Sequence, residues 1–328
     1  MLPPAAPPPA APRPGALPPA ALPPAALPPA VLPTPLTVLD EPALARLGVE
    51  LRLKRDDLAH PTVPGNKWRK LAPNLERALA EGRRGLLTYG GAYSTHVRAV
   101  AAAARGLGLA SVGVIRGEEL AAAPRNWSLR AAEAAGMVLE FVPRSAYREL
   151  AARGGEPREG FLELPEGGSN ALAVHGAAVV AGELAQQLPG LGERDVVCCP
   201  VGTGGTLAGI AAGLPPGARA LGVAVLRGEG YLEREVAGLH RAGYGREFGN
   251  WRIEHGHHGG GYGRVPADLA EFAAAFERRH GVPVERRYVA KALSAVYGLA
   301  AAGGLAAGTR VTVVVTGLPD PGGDLSRS

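Results

Sequence analysis

Cysteine, lysine, aromatic residues and long apolar runs are all scarce in this sequence, and each scarcity excludes something. The 328 residues hold two cysteines, adjacent at Cys198 and Cys199. Such a pair is neither a disulfide framework nor a zinc motif. In a strand the two side chains point to opposite faces, and a reduced, cytoplasmic protein is expected. No stretch reaches the roughly 18–20 apolar residues a membrane helix needs; the alanines at 99–104 are bracketed by Arg98 and Arg105. Aromatics make up 5% of the chain, and the net charge of +5 comes from scattered arginines. Without a basic stripe and interleaved aromatics, nucleic-acid binding is not expected. No basic cluster precedes an uninterrupted apolar run, so neither is a signal peptide.

Proline, by contrast, is concentrated in residues 1–36, where variants of Ala-Leu-Pro-Pro-Ala recur. Proline this dense lacks the donors for a helix or sheet, and the segment reads as a disordered or polyproline-II-like tail. From residue 37 onward short apolar strands alternate with Ala-rich helices. Strands are expected at 50–54, 85–89, 111–115, 137–141, 161–164, 196–200, 220–225 and 310–315. Helices are expected at 67–81, 95–106, 126–135, 171–187, 206–212 and 267–280. Near-continuous apolar strands joined by helices imply open parallel α/β sheets covered on both faces. Ligands bind such sheets beyond the carboxyl ends of the strands.

Three turns at those ends carry chemistry. Gly202-Thr203-Gly204-Gly205-Thr206 directly follows a strand. Its glycines let several backbone N–H groups converge at a helix start, which makes an anion cradle with two threonine hydroxyls added. It lacks the Lys-Ser/Thr ending of a nucleoside-triphosphate loop and the wider glycine spacing of a dinucleotide site. An ordinary Gly-rich turn is the bland alternative. The second turn, Gly65-Asn66-Lys67-Trp68-Arg69-Lys70, opens a helix. The chain has only Lys54, Lys67, Lys70 and Lys291 against many arginines, and a retained lysine suggests imine chemistry that guanidinium cannot perform. A solvated basic helix start is its plain reading. The third, Gly90-Gly91-Ala92-Tyr93-Ser94-Thr95-His96, offers helix-start N–H groups to a carboxylate, although Ser94 is equally suited to be an N-cap. His255, His257 and His258 invite a metal reading, but a loop beside the site is the preferred one and no metal is expected. Asp56 and Asp57 read as a solvated turn.

These segments, with Leu53-Lys54-Arg55-Asp56-Asp57-Leu58 before them, then Pro165-Glu166-Gly167-Gly168-Ser169-Asn170, Gly260-Gly261-Tyr262-Gly263 and Tyr288-Val289-Ala290-Lys291, resemble the 1-aminocyclopropane-1-carboxylate deaminase and D-cysteine desulfhydrase family in order. The resemblance spans roughly residues 38–318. It implies the tryptophan synthase β-subunit type of fold, with two α/β domains and pyridoxal 5′-phosphate (PLP) between them. The larger domain would comprise 37–70 and 171–328, the smaller 71–170. By the same resemblance Lys67 is the Schiff-base lysine, Lys70 lies near the cofactor phosphate, and Gly202, Thr203, Gly204, Gly205 and Thr206 bind that phosphate. Ser94, Tyr262 and Tyr288 take active-site roles, with Thr95 and His96 beside the cofactor. Two positions depart from the family. Thr95 stands where asparagine is usual, and Val289 stands where a glutamate or threonine faces the ring nitrogen. A valine there cannot hydrogen-bond the ring, which weakens the electron sink. The implied reaction is elimination from a small amino acid, D-cysteine first. Ring opening of 1-aminocyclopropane-1-carboxylate is the second reading, and a PLP-binding protein without turnover the third. A homodimer is implied.

Overall fold

The computed structural model describes residues 28–320; most of the expected tail, residues 1–27, lies outside the described residues. In chain order the elements are β1 (Leu36–Leu39), α1 (Pro42–Ala45), β2 (Glu50–Lys54), α2 (Asn66–Ala80), β3 (Gly85–Gly90), α3 (Thr95–Leu107), β4 (Ala110–Arg116), α4 (Trp127–Ala134), β5 (Met137–Val142), α5 (Arg144–Ala152) and β6 (Phe161–Leu164). They continue with α6 (Ala171–Gln187), β7 (Asp195–Val201), α7 (Gly205–Gly213), β8 (Arg219–Ala224), α8 (Tyr231–Tyr244), β9 (Trp251–Glu254), α9 (Ala267–His280), α10 (Val289–Ala301) and β10 (Arg310–Val314).

Two sheets result. One has six strands in the order β1-β2-β10-β7-β8-β9, the other four in the order β5-β4-β3-β6. Every pairing is parallel except the edge pair β1–β2. The smaller sheet draws its strands from residues 85–164 and the larger from 36–54 and 195–314. Alternation on β7 sends the adjacent cysteines to different cores. Cys198 packs with Phe276, Leu293 and Val313, and Cys199 with Val180, Leu207 and Ile210. Burial raises both thiols, Cys198 to about 12, so they are inert packing groups. No helix among the described residues is long and apolar enough to cross a membrane.

Helix α2 links the two sheets, and its sequence explains how closely α6 can approach it. Pro73 lies inside α2 and has no N–H for the carbonyl four residues earlier, that of Arg69. Gly176 of α6 sits against that carbonyl; a Cβ built there would fall 1.9 Å from the Arg69 oxygen. Proline on one helix and glycine on the other therefore allow close packing that a larger residue would prevent.

The same contact encloses an ion cluster that corrects two expectations. Asp56 and Asp57 are not a solvated turn: they are 0% and 2% exposed. Asp56 accepts from Arg69 Nη2 at 2.8 Å, and Arg69 Nη1 reaches Glu183 at 2.6 Å. Lys54 Nζ pairs with Glu183 at 2.6 Å, and Asp57 pairs with Arg55 at 2.7 Å. Nor does a free tail extend to residue 36. Thr34 is fully buried, its hydroxyl donates to Asp56 at 2.9 Å, and its carbonyl accepts from Lys54 at 2.7 Å. The buried charges need partners, and the chain before β1 supplies one.

Candidate active site

The carboxyl ends of β3 and β7 and the start of α2 converge on one cavity of about 600 Å³, within the ~300–1,000 Å³ range of small-molecule sites. Gly65 is required where the chain enters α2. It has φ 74°, and a Cβ there would lie 1.9 Å from the carbonyl oxygen of Thr316. Asn66 N–H donates to that same carbonyl at 3.2 Å. This turn aims Asn66, Lys67 and Lys70 into the cavity. Lys67 Nζ donates to Asn66 Oδ1 at 2.8 Å, and Asn66 Nδ2 donates to Thr206 Oγ1 at 2.8 Å. A side-chain relay thus joins the lysine to the glycine-rich loop.

Lys70 donates to the Gly167 carbonyl and, at 2.8 Å, to Ser169 Oγ, which shares a 2.7 Å hydrogen bond with Thr203 Oγ1. Neither Lys67 nor Lys70 makes an ion pair with a described carboxylate. Desolvation is the main reason the Lys67 amine falls to about 8, with Glu285 opposing and Arg98 adding to the drop. Lys70 is pushed well below the usual lysine range by burial and then by Lys67. His96 is 1% exposed with both ring nitrogens unpartnered; burial, then Lys70 and Lys67, hold it neutral. The loop at 202–206 meets them at the start of α7. Gly204 has φ 79°, and a Cβ at Gly205 would fall 2.7 Å from Ser169 Oγ. Two amines without carboxylate partners, Lys67 half-buried and Lys70 buried, an orphaned imidazole and a helix start with free N–H groups together suit a dianion such as phosphate. The residues therefore fit PLP.

Ser94 is the N-cap of α3, accepting from Val97 N–H at 3.2 Å. It still lines the cavity, with Thr95 and His96. Tyr288 donates to the Tyr262 hydroxyl at 3.2 Å; burial, then Tyr262, keeps Tyr288 a neutral phenol. Lys291 is fully buried and donates to the carbonyls of Val225 and Gly261 at 3.1 and 2.9 Å, so it braces the loop bearing Tyr262. His255 pairs with Glu233 and His257 with Glu254. No group of three metal-ligating side chains occurs among the described residues.

Val289 is a correction. Rather than facing the cavity it is fully buried in the core of the larger sheet and is not a lining residue. It is the first residue of α10, and the helical phase turns it inward among Cys198, Leu221 and Val223. The polar side chains contributed nearby are Glu285 and Thr316. Glu285 accepts the N–H groups of Arg287, Tyr288 and Val289 at 2.7, 2.6 and 3.3 Å, and burial raises its carboxyl. Sequence reading missed it: it stands three residues before the N-cap Tyr288, not at the N3 position where a capping glutamate is read. Asn66, Arg98, Arg116, Glu166, Tyr231 and Thr316 also line the cavity; their spacing carried no sign of it.

Two parallel α/β sheets, with a depressed lysine and a phosphate-type loop at their strand ends, define a class of enzyme that works through PLP. The chain belongs to the pyridoxal-phosphate dependent enzyme family, whose sequence model matches residues 27–317. It is similar to a D-cysteine desulfhydrase of Klebsiella pneumoniae, 36% identical over 226 residues, which cover 64% of this chain and 67% of that protein. It is also similar to a Pyrococcus furiosus protein provisionally named 1-aminocyclopropane-1-carboxylate deaminase, at 30% identity over 87% of this chain and 89% of that one. Among solved structures, a homologue of that deaminase superposes with a TM-score of 0.71 at 26% identity, covering 87% of this chain and 89% of the other. A threonine deaminase of Solanum lycopersicum, 18% identical with a TM-score of 0.62 over 88% of this chain and 84% of its own, shares the fold.

Proposed function

We propose that this PLP-dependent enzyme catalyses β-elimination from a D-cysteine-like amino acid, giving pyruvate, ammonia and sulfide. The observation that carries the proposal is the pair Lys67, half-buried, and Lys70, buried, two amines without carboxylate partners set against the 202–206 loop. Lys67 would hold the cofactor's aldehyde carbon. Lys70 and the N–H groups and hydroxyls of Gly202, Thr203, Gly204, Gly205 and Thr206 would hold its phosphate, leaving Glu285 and Thr316 as polar groups available to the ring nitrogen. When bound, PLP supplies the electron withdrawal that acidifies the Cα–H of an attached amino acid.

The chain's own residues do the rest. The N–H groups of Thr95 and His96 at the start of α3 receive the substrate carboxylate; that of Ser94 is bonded to the Gly91 carbonyl. The Lys67 amine, once released, takes the Cα proton. At about 8 its pKa leaves roughly a tenth of it neutral at pH 7, enough for a general base. The Cβ–S bond breaks with its electron pair on sulfur, which departs as hydrosulfide beside the neutral Tyr288 phenol. The enamine released takes up water to give pyruvate and ammonium. The family resemblance also implies a cytoplasmic homodimer, whose subunit number sedimentation would measure.

The test is product formation by the PLP-loaded protein with D-cysteine, L-cysteine and 1-aminocyclopropane-1-carboxylate. Pyruvate from D-cysteine in excess of the other products is expected. Dominant 2-oxobutyrate from the cyclopropane would replace elimination by ring opening, and no product from any of the three would leave a PLP-binding protein without turnover.

A further inference from the structure

Two polar groups beside the cavity have no role in the reaction just described. Arg116 ends β4 opposite the turn that follows β3, in register with Gly90↔Ile115 one residue before. A Cβ on Gly91 would lie 3.4 Å from its Nη2, so the guanidinium abuts the turn leading to Ser94. It lines the cavity yet makes no ion pair or hydrogen bond with a described residue; its one contact is the Tyr147 ring, with Cζ 5.4 Å from the centroid. Tyr147 is 2% exposed; its hydroxyl makes no well-formed hydrogen bond, and burial and then the nearby Glu166 carboxylate raise its phenol. It lines a smaller adjoining hollow of about 190 Å³ that shares Glu166, Thr203 and Tyr231 with the main cavity.

A permanently charged guanidinium left unpaired in a cavity wall, over a buried phenol without a well-formed hydrogen bond, is a costly arrangement for folding alone. Both groups are donors, so the partner that satisfies them is an acceptor carrying negative charge. We infer that Arg116 and Tyr147 form a receptor for an anionic group at the side-chain end of the amino-acid substrate, so that the enzyme prefers an anionic β-substituent to a neutral one. Glu166, which lines both hollows, and Glu235, which lines the smaller one, oppose this and would favour a cationic end instead. Both carboxylates lie at the Tyr147 end of the site, whereas Arg116 abuts the turn leading to Ser94 and meets no described carboxylate within ion-pairing distance.

The inference rests on the β-elimination reading, and the test separates the two. Three β-substituted alanines, of the hand the cysteine assay accepts, carry a sulfate ester, a chloride or an ammonium as leaving group. In each the Cα proton goes to Lys67, the Cβ–X bond breaks with its pair on X, and pyruvate and ammonium follow. The sulfate ester is expected to show kcat/KM about tenfold or more above the chloride, the discrimination of one charge-assisted contact. Arg116→Met and Tyr147→Phe should each collapse that ratio, mainly through KM, and Arg116→Lys should restore part of it. An independent readout is the shift in the cofactor's visible band on titration with aspartate against alanine. Aspartate should bind more tightly, and only in the presence of Arg116. A preference for the ammonium compound, or an equal loss for all three substrates in Arg116→Met (the sign of α-carboxylate binding), overturns the inference. Absence of pyruvate from all three overturns the elimination reading instead, and the titration still decides the receptor.

Discussion

Helix α2 presents two sets of buried or half-buried cations within four residues, and the structure treats them oppositely. Arg69 points away from the cavity and is matched by Asp56, Glu183 and Thr34. Its guanidinium is raised above the usual arginine value because those carboxylates more than offset desolvation. Lys67 and Lys70, on the other face, meet no described carboxylate within ion-pairing distance, and desolvation holds both amines below the usual lysine range. Matched charge here is architecture, tying α2 to α6 and to the chain before β1. Unmatched charge marks the place where a ligand completes the protein.

Breaking the matched set should cost most. Arg69→Met leaves Asp56 and Glu183 buried without their shared partner and should lower stability by about 3–5 kcal/mol, read as a fall in denaturation midpoint. The unmatched set should respond with the opposite sign. The unfolded chain keeps lysine near ~10.4 while Lys67 sits at about 8 when folded. Between those values the unfolded chain binds more protons, so the cofactor-free protein gains stability as pH rises through that window. Lys67→Met removes the penalty. It should be more stable than the cofactor-free wild type at pH 7, by about 1–3 kcal/mol, with the gap closing between pH 8 and 10. A gap that widens with pH would show that the amine is not held below its usual range.

Thr34→Val tests whether the segment before β1 belongs to the matched set. Losing the hydroxyl that donates to Asp56 should cost about 1–2 kcal/mol, and no change would return residues 28–35 to a passive role. Ser94→Ala should have the smallest effect on stability, about 1 kcal/mol for the lost N-cap. A much larger drop in kcat would show that the hydroxyl also works on the substrate.

The contrast between the two faces of α2 also explains what could be read from sequence. The eight strands expected from apolar runs all form, within two residues at each end, because burial on both faces makes such runs continuous. Edge strands β1 and β9 were passed over: Leu36–Leu39 follows prolines, and Trp251–Glu254 is short and mixed in polarity. The glycine-rich loop and the lysine turn were legible because their chemistry is local. Asp56 was misread because its partner Arg69, shared with Glu183, lies 13 residues away along the chain; Asp57 pairs with nearby Arg55, but its burial has no local sign. Val289 was misplaced because sequence order does not give the phase of a helix at its first residue; Glu285, four residues earlier, is the nearby carboxylate that lines the cavity on that segment.

The central claim is that of the two unmatched lysines Lys67, and not Lys70, would hold the cofactor's aldehyde carbon. Borohydride reduction of the PLP-loaded protein, followed by digestion and mass spectrometry, locates the attachment directly. The account predicts the reduced cofactor on the peptide containing Lys67, and no attachment together with loss of the visible band in Lys67→Ala. Attachment at Lys70 or Lys291, or a trapped cofactor persisting in Lys67→Ala, would contradict it.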